Sequence, residues 1–210
     1  MGKARVAEIY LDVSINAEAG VMKQQNKTLI VLVWFLFVPA MAWPQDSIPF
    51  VPSPMLVVER MLQLAEVRRD DVLYDLGSGD GRIVIEAAKK FGVRGVGVDL
   101  NPTLVEQARR KAAAEGVSHL VEFRAADGLT VDISQATVVT LYMFKWFNNQ
   151  MRPKLQRLKP GSRVVAHDFD IDDWKPTKIE YVNPSDDSSS ELTEPRTLYL
   201  WKIDTESPAS

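Results

Sequence analysis

The sequence contains no cysteine. That excludes disulfide staples, thiolate nucleophiles and any zinc site built on sulfur. Histidine is almost as scarce: His119 and His167 are the two in the chain, not in H-x-x-x-H spacing, so nothing points to a histidine metal centre. Positive charge is not in excess either. Lys and Arg number 25 against 28 Asp and Glu, a net charge of −3, which gives no nucleic-acid footprint. No internal repeat is visible. What is present is a chain of 210 residues, 46% hydrophobic, enough for one domain of ordinary size plus extras.

The extras fall at the amino terminus. Residues 22–42 combine a basic start (Met22 to Lys27), an apolar run (Leu29 to Val38) and Ala40-Met41-Ala42, the grammar of a secretory signal peptide. Such segments begin at the initiator methionine, so Met22 is expected to be the true start and residues 1–21 an upstream extension. The alternative is a genuine amino-terminal segment of a cytoplasmic protein. The apolar run is shorter than the ~20 residues that span a bilayer. Left uncleaved, Thr28 to Trp43 could still insert with some bilayer thinning. Export or membrane anchoring (periplasm or membrane) is the expectation if residues 22–42 are used, and cytoplasm if they are not. Residues 43–54 hold four prolines and read as a linker.

The rest is organised around Val72 to Ala88. A short β-branched and aromatic run ends at Asp75-Leu76. Gly77-Ser78-Gly79-Asp80-Gly81 follows, then an amphipathic helical pattern. The glycines permit a tight turn and close approach of backbone N–H groups to a ligand. A dinucleotide fold asks for G-x-G-x-x-G, and Arg82 stands where its third glycine would be. Further on, Met55 to Val67 reads as a helix and Gly95 to Asp99 as a second strand. Asn101-Pro102 opens a helix that stops at Gly116. Val121 to Arg124, Thr137 to Tyr142 and Arg163 to Ala166 read as strands three to five, with a helix over Trp146 to Leu158. Lys178 to Val182 and Arg196 to Lys202 close the sheet, separated by an acidic, polar loop over residues 184–191. Asp99 lies 18 positions after Gly81, near the spacing at which a carboxylate reaches ribose hydroxyls; the alternative is a helix cap. The pattern predicts an α/β fold, a doubly wound, mostly parallel seven-stranded sheet with an antiparallel last strand.

Asp75-Leu76-Gly77-Ser78-Gly79-Asp80-Gly81 resembles motif I of class I S-adenosylmethionine-dependent methyltransferases. Pro52-x-Pro54, the motif continued to Arg82-Ile83-Val84-Ile85, Asp99-Leu100-Asn101-Pro102 and Leu158-Lys159-Pro160-Gly161 resemble, more narrowly, a small family of methyltransferases. Its eukaryotic members are mitochondrial lysine methyltransferases of the ATP synthase c subunit and the adenine nucleotide translocase. The resemblance implies a methyltransferase domain over residues 55–203 with a tail over 204–210, and S-adenosylmethionine as cofactor. It implies cofactor contacts from Asp75, Gly77, Ser78, Gly79, Gly81, Asp99 and Leu100. Asp127-Gly128 would take the adenine amino group; a plain Asp-Gly turn is the alternative. Eukaryotic members carry a membrane-associated amino-terminal segment, which fits Leu29 to Val38 as an anchor. The resemblance also implies a protein lysine as acceptor, with a small molecule second and no nucleic acid; no Asn-Pro-Pro-Tyr motif is present. A dinucleotide-dependent enzyme or a non-catalytic binding domain is the competing class. For the chemistry, Tyr142, Phe144 and Trp146 are expected to form an aromatic rim, and Asp168 to orient the amine or take its proton. The alternative makes the aromatics core and Asp168 a cap.

Overall fold

The computed structural model describes residues 50–186 and 192–204. The expected upstream extension, the leader or anchor, and residues 43–49 of the linker lie outside the described residues. So do residues 187–191 of the acidic loop and 205–210 of the tail. No helix among the described residues is long and apolar enough to cross a membrane.

Seven strands and four helices alternate as the sequence predicts: α1 (Met55–Leu64), β1 (Val72–Leu76), α2 (Arg82–Phe91), β2 (Arg94–Asp99), α3 (Pro102–Ala114), β3 (Val121–Ala125), β4 (Val138–Leu141), α4 (Lys145–Leu155), β5 (Arg163–His167), β6 (Lys178–Val182) and β7 (Arg196–Lys202). The sheet order is β3-β2-β1-β4-β5-β7-β6. The first five strands run parallel, and β7 is antiparallel to both neighbours.

The central strands are apolar on both faces because helices cover both. Val57, Val58, Met61 and Leu62 of α1, with α2 and α3, pack on one face against Leu73, Val138 and Val165. Phe147, Met151 and Leu155 of α4 pack on the other against Leu76, Val139, Leu141 and Val164. Strand order reverses between β1 and β4, so their carboxyl ends open a crevice, the usual ligand position in such sheets. The glycine loop leaves β1 there and Tyr142-Met143-Phe144 leaves β4.

Two boundaries differ from expectation. The α4 helix ends at Leu155 and not Leu158, because Arg157 and Leu158 donate to the carbonyls of Lys154 and Leu155, three residues back, and the last turn tightens. The end of the linker is not free chain. Ser53 is buried and makes hydrogen bonds through both side chain and carbonyl.

Candidate active site

The glycine loop is shaped by its own hydrogen bonds. Gly77 and Ser78 both donate N–H to the Val98 carbonyl at the end of β2, at 2.8 and 2.9 Å. Gly79 donates to Asp99 Oδ2 at 2.8 Å. The sequence leads one to expect these N–H groups free to meet a ligand; in the structure they are spent inside the fold. The missing Cβ atoms instead let neighbouring side chains lie directly on the loop. Gly77 and Gly79 have φ of 85° and 51°, and a Cβ at either would collide with Met143 or Phe50. Gly81 faces the other way. Its N–H donates to Ser78 O, and a Cβ there would lie 2.6 Å from Phe123 and 2.8 Å from Ala108. Its missing Cβ lets Phe123 of β3 and Ala108 of α3 pack against the start of α2. Ser78 Oγ is buried without a partner among the described residues.

The amino end of α2, where a pyrophosphate would sit in a dinucleotide fold, already holds an anion. Asp80 accepts from Arg82 N, from Arg82 Nε and Nη2 at 2.9 Å each, and from Lys111 Nζ at 3.2 Å. Burial alone would raise the Asp80 pKa, but the Arg82 and Lys111 partners hold it below the ordinary carboxylate value. A second anion would be repelled, which disfavours the dinucleotide class. Arg82 also donates Nη1 to the Ser53 carbonyl at 2.8 Å, pinning the segment before α1 to the loop.

Asp99 ends β2 with one oxygen on Gly79 N and the other on Asn101 N. The helix cap is Asn101, whose Oδ1 accepts from Thr103 and Leu104 N, so Asp99 is not needed for capping. Leu100 beside it is 62% exposed, a large apolar side chain presented at the crevice edge. Ala126 N donates to Asp99 O, which brings the turn after β3 alongside. In that turn Asp127 Oδ1 accepts from Leu129 N, and Gly128 lies under Phe147. Asp75, beneath the loop on β1, is buried with Oδ1 on Thr140 Oγ1 at 2.8 Å. Burial first, then the nearby Asp99 and Asp80 charges, push its carboxyl up to about 7.

Across the crevice lies an aromatic group. Tyr142 stacks on His167, ring centroids 3.9 Å apart, and on Phe169 at 6.4 Å; Phe144 meets Phe169 edge-on at 6.0 Å. Trp146 meets Phe147 edge-on at 5.9 Å, and Phe169 joins Tyr142 and Phe144 in the ring contacts. Asn148 Nδ2 holds the Phe169 carbonyl at 2.9 Å. Asp168 adopts φ 59°, a left-handed conformation that a short polar side chain tolerates. Its Oδ2 is 3.0 Å from Arg196 Nη1, and its Oδ1 accepts from Thr197 N at 3.0 Å. Burial and the Asp168 charge raise the Tyr142 phenol above its usual value.

Sequence reasoning missed Ser53 and Arg196, and it gave Phe169 no role of its own beyond its place in His167-Asp168-Phe169-Asp170 at the end of the fifth strand. The shared Pro52-x-Pro54 flanks Ser53 and was the signal available for it. A separate groove between α1, β6 and β7 is lined by Arg60, Gln63, Glu66, Lys178, Glu180 and Lys202. Its Arg60 and Lys202 are already paired with Glu180 and Glu66.

Residues 75–178 match the ANTKMT methyltransferase domain. A protein-lysine N-methyltransferase of Saccharolobus islandicus is 45% identical over 158 residues, 74% of this chain and 94% of that protein. The lysine N-methyltransferase of the ATP synthase c subunit from Homo sapiens is 39% identical over 133 residues, 63% of this chain; the match spans 56% of the human protein. A crystal structure of an RNA methyltransferase from Salinibacter ruber, in complex with S-adenosyl-L-homocysteine, is 49% identical with a TM-score of 0.67 and covers 76% of this chain and 98% of that one.

The crevice residues fit S-adenosylmethionine. Its methionine part carries an ammonium and a sulfonium against one carboxylate, so a loop whose N–H groups are spent and whose helix terminus holds Asp80 faces a net cation and not a pyrophosphate. Gly77 and Gly79 let Met143 and Phe50 close directly over the loop, Asp99 keeps lone pairs for ribose hydroxyls, and Leu100 offers an apolar flank for a base. Sheet order, glycine loop and relatives agree: the chain belongs to the ANTKMT methyltransferase family and is an S-adenosylmethionine-dependent methyltransferase.

Proposed function

We propose that the methyl acceptor is the ε-amine of a lysine in a protein. The observation that carries this reading is the wall of Tyr142, Phe169 and Phe144 beside the fixed carboxylate of Asp168, at the carboxyl ends of β4 and β5. S-adenosylmethionine supplies an electrophilic methyl group on a sulfonium. The chain must align the nucleophile with it and present an amine without its proton. A lysine amine has a reference pKa of about 10.4. Aromatic surroundings lower it by desolvating the charged form. Asp168 attracts the incoming ammonium and sets its direction. Arg196 and Thr197 N hold the carboxylate in place, so it acts as an anchor and the proton leaves to water. The raised pKa of Tyr142 keeps its phenol protonated at neutral pH, so it serves as a hydrogen-bonding wall and not as a base. The lysine specificity named for the Saccharolobus islandicus relative, matched over nearly its whole length, supports the same acceptor.

A second reading comes from the Salinibacter ruber relative, which is named an RNA methyltransferase. Exposed aromatics such as Phe144 can stack on a base. Against it stand the net charge of −3 and the acidic Asp170 and Asp172 next to the rim, which take Lys145 at 2.9 and 2.6 Å. The test offers isotope-labelled cofactor to lysine-bearing protein substrate, to its Lys→Arg version and to total RNA. Label on lysine, absent from the Arg version, is expected. Label in RNA with none in protein overturns the lysine reading.

A further inference from the structure

His167 ends β5 fully buried, and its two nitrogens meet different surroundings. Nδ1 lies 3.0 Å from Ser53 Oγ. Nε2 has no hydrogen-bond partner among the described residues and lies 3.4 Å from Asp168 Oδ2. A lone pair on Nε2 would face a carboxylate, whereas a proton there is attracted to it. This geometry favours the tautomer with the proton on Nε2, in which Ser53 Oγ donates to Nδ1. Burial keeps the ring neutral, with its pKa pushed down to about 4 against a smaller upward pull from Asp168. The plane thus fixed is the one on which Tyr142 stacks. The Ser53 carbonyl meanwhile accepts from Arg82, whose guanidinium grips Asp80 of the glycine loop. One residue therefore touches both halves of the site.

We infer that Ser53 and His167 form a positioning pair for the methyl acceptor: the Ser53 hydroxyl sets the tautomer and tilt of His167, and through that ring the seat of Tyr142 and the setting of Asp168. This rests on the reading that the acceptor enters at Tyr142 and Asp168. Neither residue touches the reacting atoms. Without the hydroxyl, Nδ1 is a buried acceptor with no donor. The ring can relieve this by changing tautomer or flipping, and either move takes the proton away from Asp168 and loosens Tyr142.

Ser53→Ala deletes the hydroxyl and keeps the carbonyl on Arg82, so the two links separate. The expected result is a fall in kcat/KM for the acceptor of about tenfold or more, in the range seen when a group that orients a site ligand is lost. Cofactor affinity by calorimetry stays within about twofold, since the carbonyl link to Arg82 survives. Ser53→Thr, which retains a hydroxyl, restores most of the rate. Ser53→Ala combined with His167→Asn is no worse than His167→Asn alone. Long-range ¹H–¹⁵N spectra of the wild-type protein read the tautomer with no acceptor and no variant: Nε2 protonated, Nδ1 accepting. An Nδ1-protonated ring, wild-type kinetics in Ser53→Ala, equal loss of cofactor affinity and rate, or no rescue by Ser53→Thr would each overturn the pair. Kinetics use whichever acceptor the wild-type protein methylates. RNA labelling would thus remove the lysine reading and still leave Ser53 tested.

Discussion

Asp75 is a carboxylate held in a place that opposes its charge. It is 2% exposed, its hydrogen-bond donor among the described residues is the neutral Thr140 hydroxyl, and the charges of Asp99 and Asp80 beside it are both negative. Its folded pKa of about 7 stands well above its ordinary value of 3.8. The folded state therefore holds this proton more tightly than the unfolded chain. That contribution to stability is fully present below the unfolded pKa and is lost as pH rises through about 7. Asp75→Asn keeps an acceptor at Oδ1 for Thr140 and removes the charge. Urea unfolding should show the variant gaining stability over wild type, with a larger gain at pH 8 than at pH 4.5. An equal difference at both pH values would mean that Asp75 does not titrate in this window. From sequence Asp75 was legible as a motif residue but not as a buried, nearly neutral acid, because that depends on its burial and on Asp99 and Asp80 being folded close to it.

The elements themselves were legible because each carries a local signal. β1, β2 and β5 are largely apolar runs that end at or beside Gly77, Asp99 and Asp168, and α3 begins at Asn101-Pro102 and is followed by Gly116. The segment before α1 was not, since four prolines hide both period and partner, and the burial of Ser53 depends on contacts with β5 and α2. The work of Gly97 on β2 was equally hidden: glycine in a strand interior signals only that something approaches closely. What approaches is Phe123, 2.5 Å from where a Cβ would stand, with Ser78 Oγ at 2.8 Å. Gly97→Ala must displace the Phe123 ring or the serine of the glycine loop. Overpacking of this kind costs roughly 1–3 kcal/mol. Denaturant titration should find that loss, and unchanged stability would show that β2 and β3 part easily.

At the scale of the whole molecule, chemistry and cohesion occupy opposite ends of the sheet. The crevice lies at the carboxyl ends of β1 and β4. At their amino ends Asp71 collects Arg163 Nη1 and Nη2 at 2.9 and 2.6 Å, Thr137 Oγ1 at 2.6 Å and Arg68 N at 2.7 Å. Arg163 also donates to the carbonyls of Ala65 and Glu66 after α1. One ion pair thus joins the end of α1 and the starts of β1, β4 and β5, far apart in sequence and invisible to any local pattern. Asp71 is 6% exposed, and breaking a buried pair from one side strands the other charge, at about 3–5 kcal/mol. Burial pushes the Asp71 pKa up, but Arg163, Thr137 and Arg68 together hold it below 3.8. A depressed folded pKa stabilises above the unfolded value, and that contribution is lost as pH falls through the folded one, the reverse of Asp75. Asp71→Asn should therefore lower stability most at neutral pH and least in strong acid, flattening the acid limb of the stability profile. Cofactor affinity at neutral pH should hold, because the lock and the crevice share no side chain. Unfolding from pH 7 down to pH 2, with calorimetric cofactor titration at pH 7, decides it: an acid limb as steep as wild type would place the lock elsewhere, and lost cofactor binding in a folded variant would show that the two ends are coupled through β1.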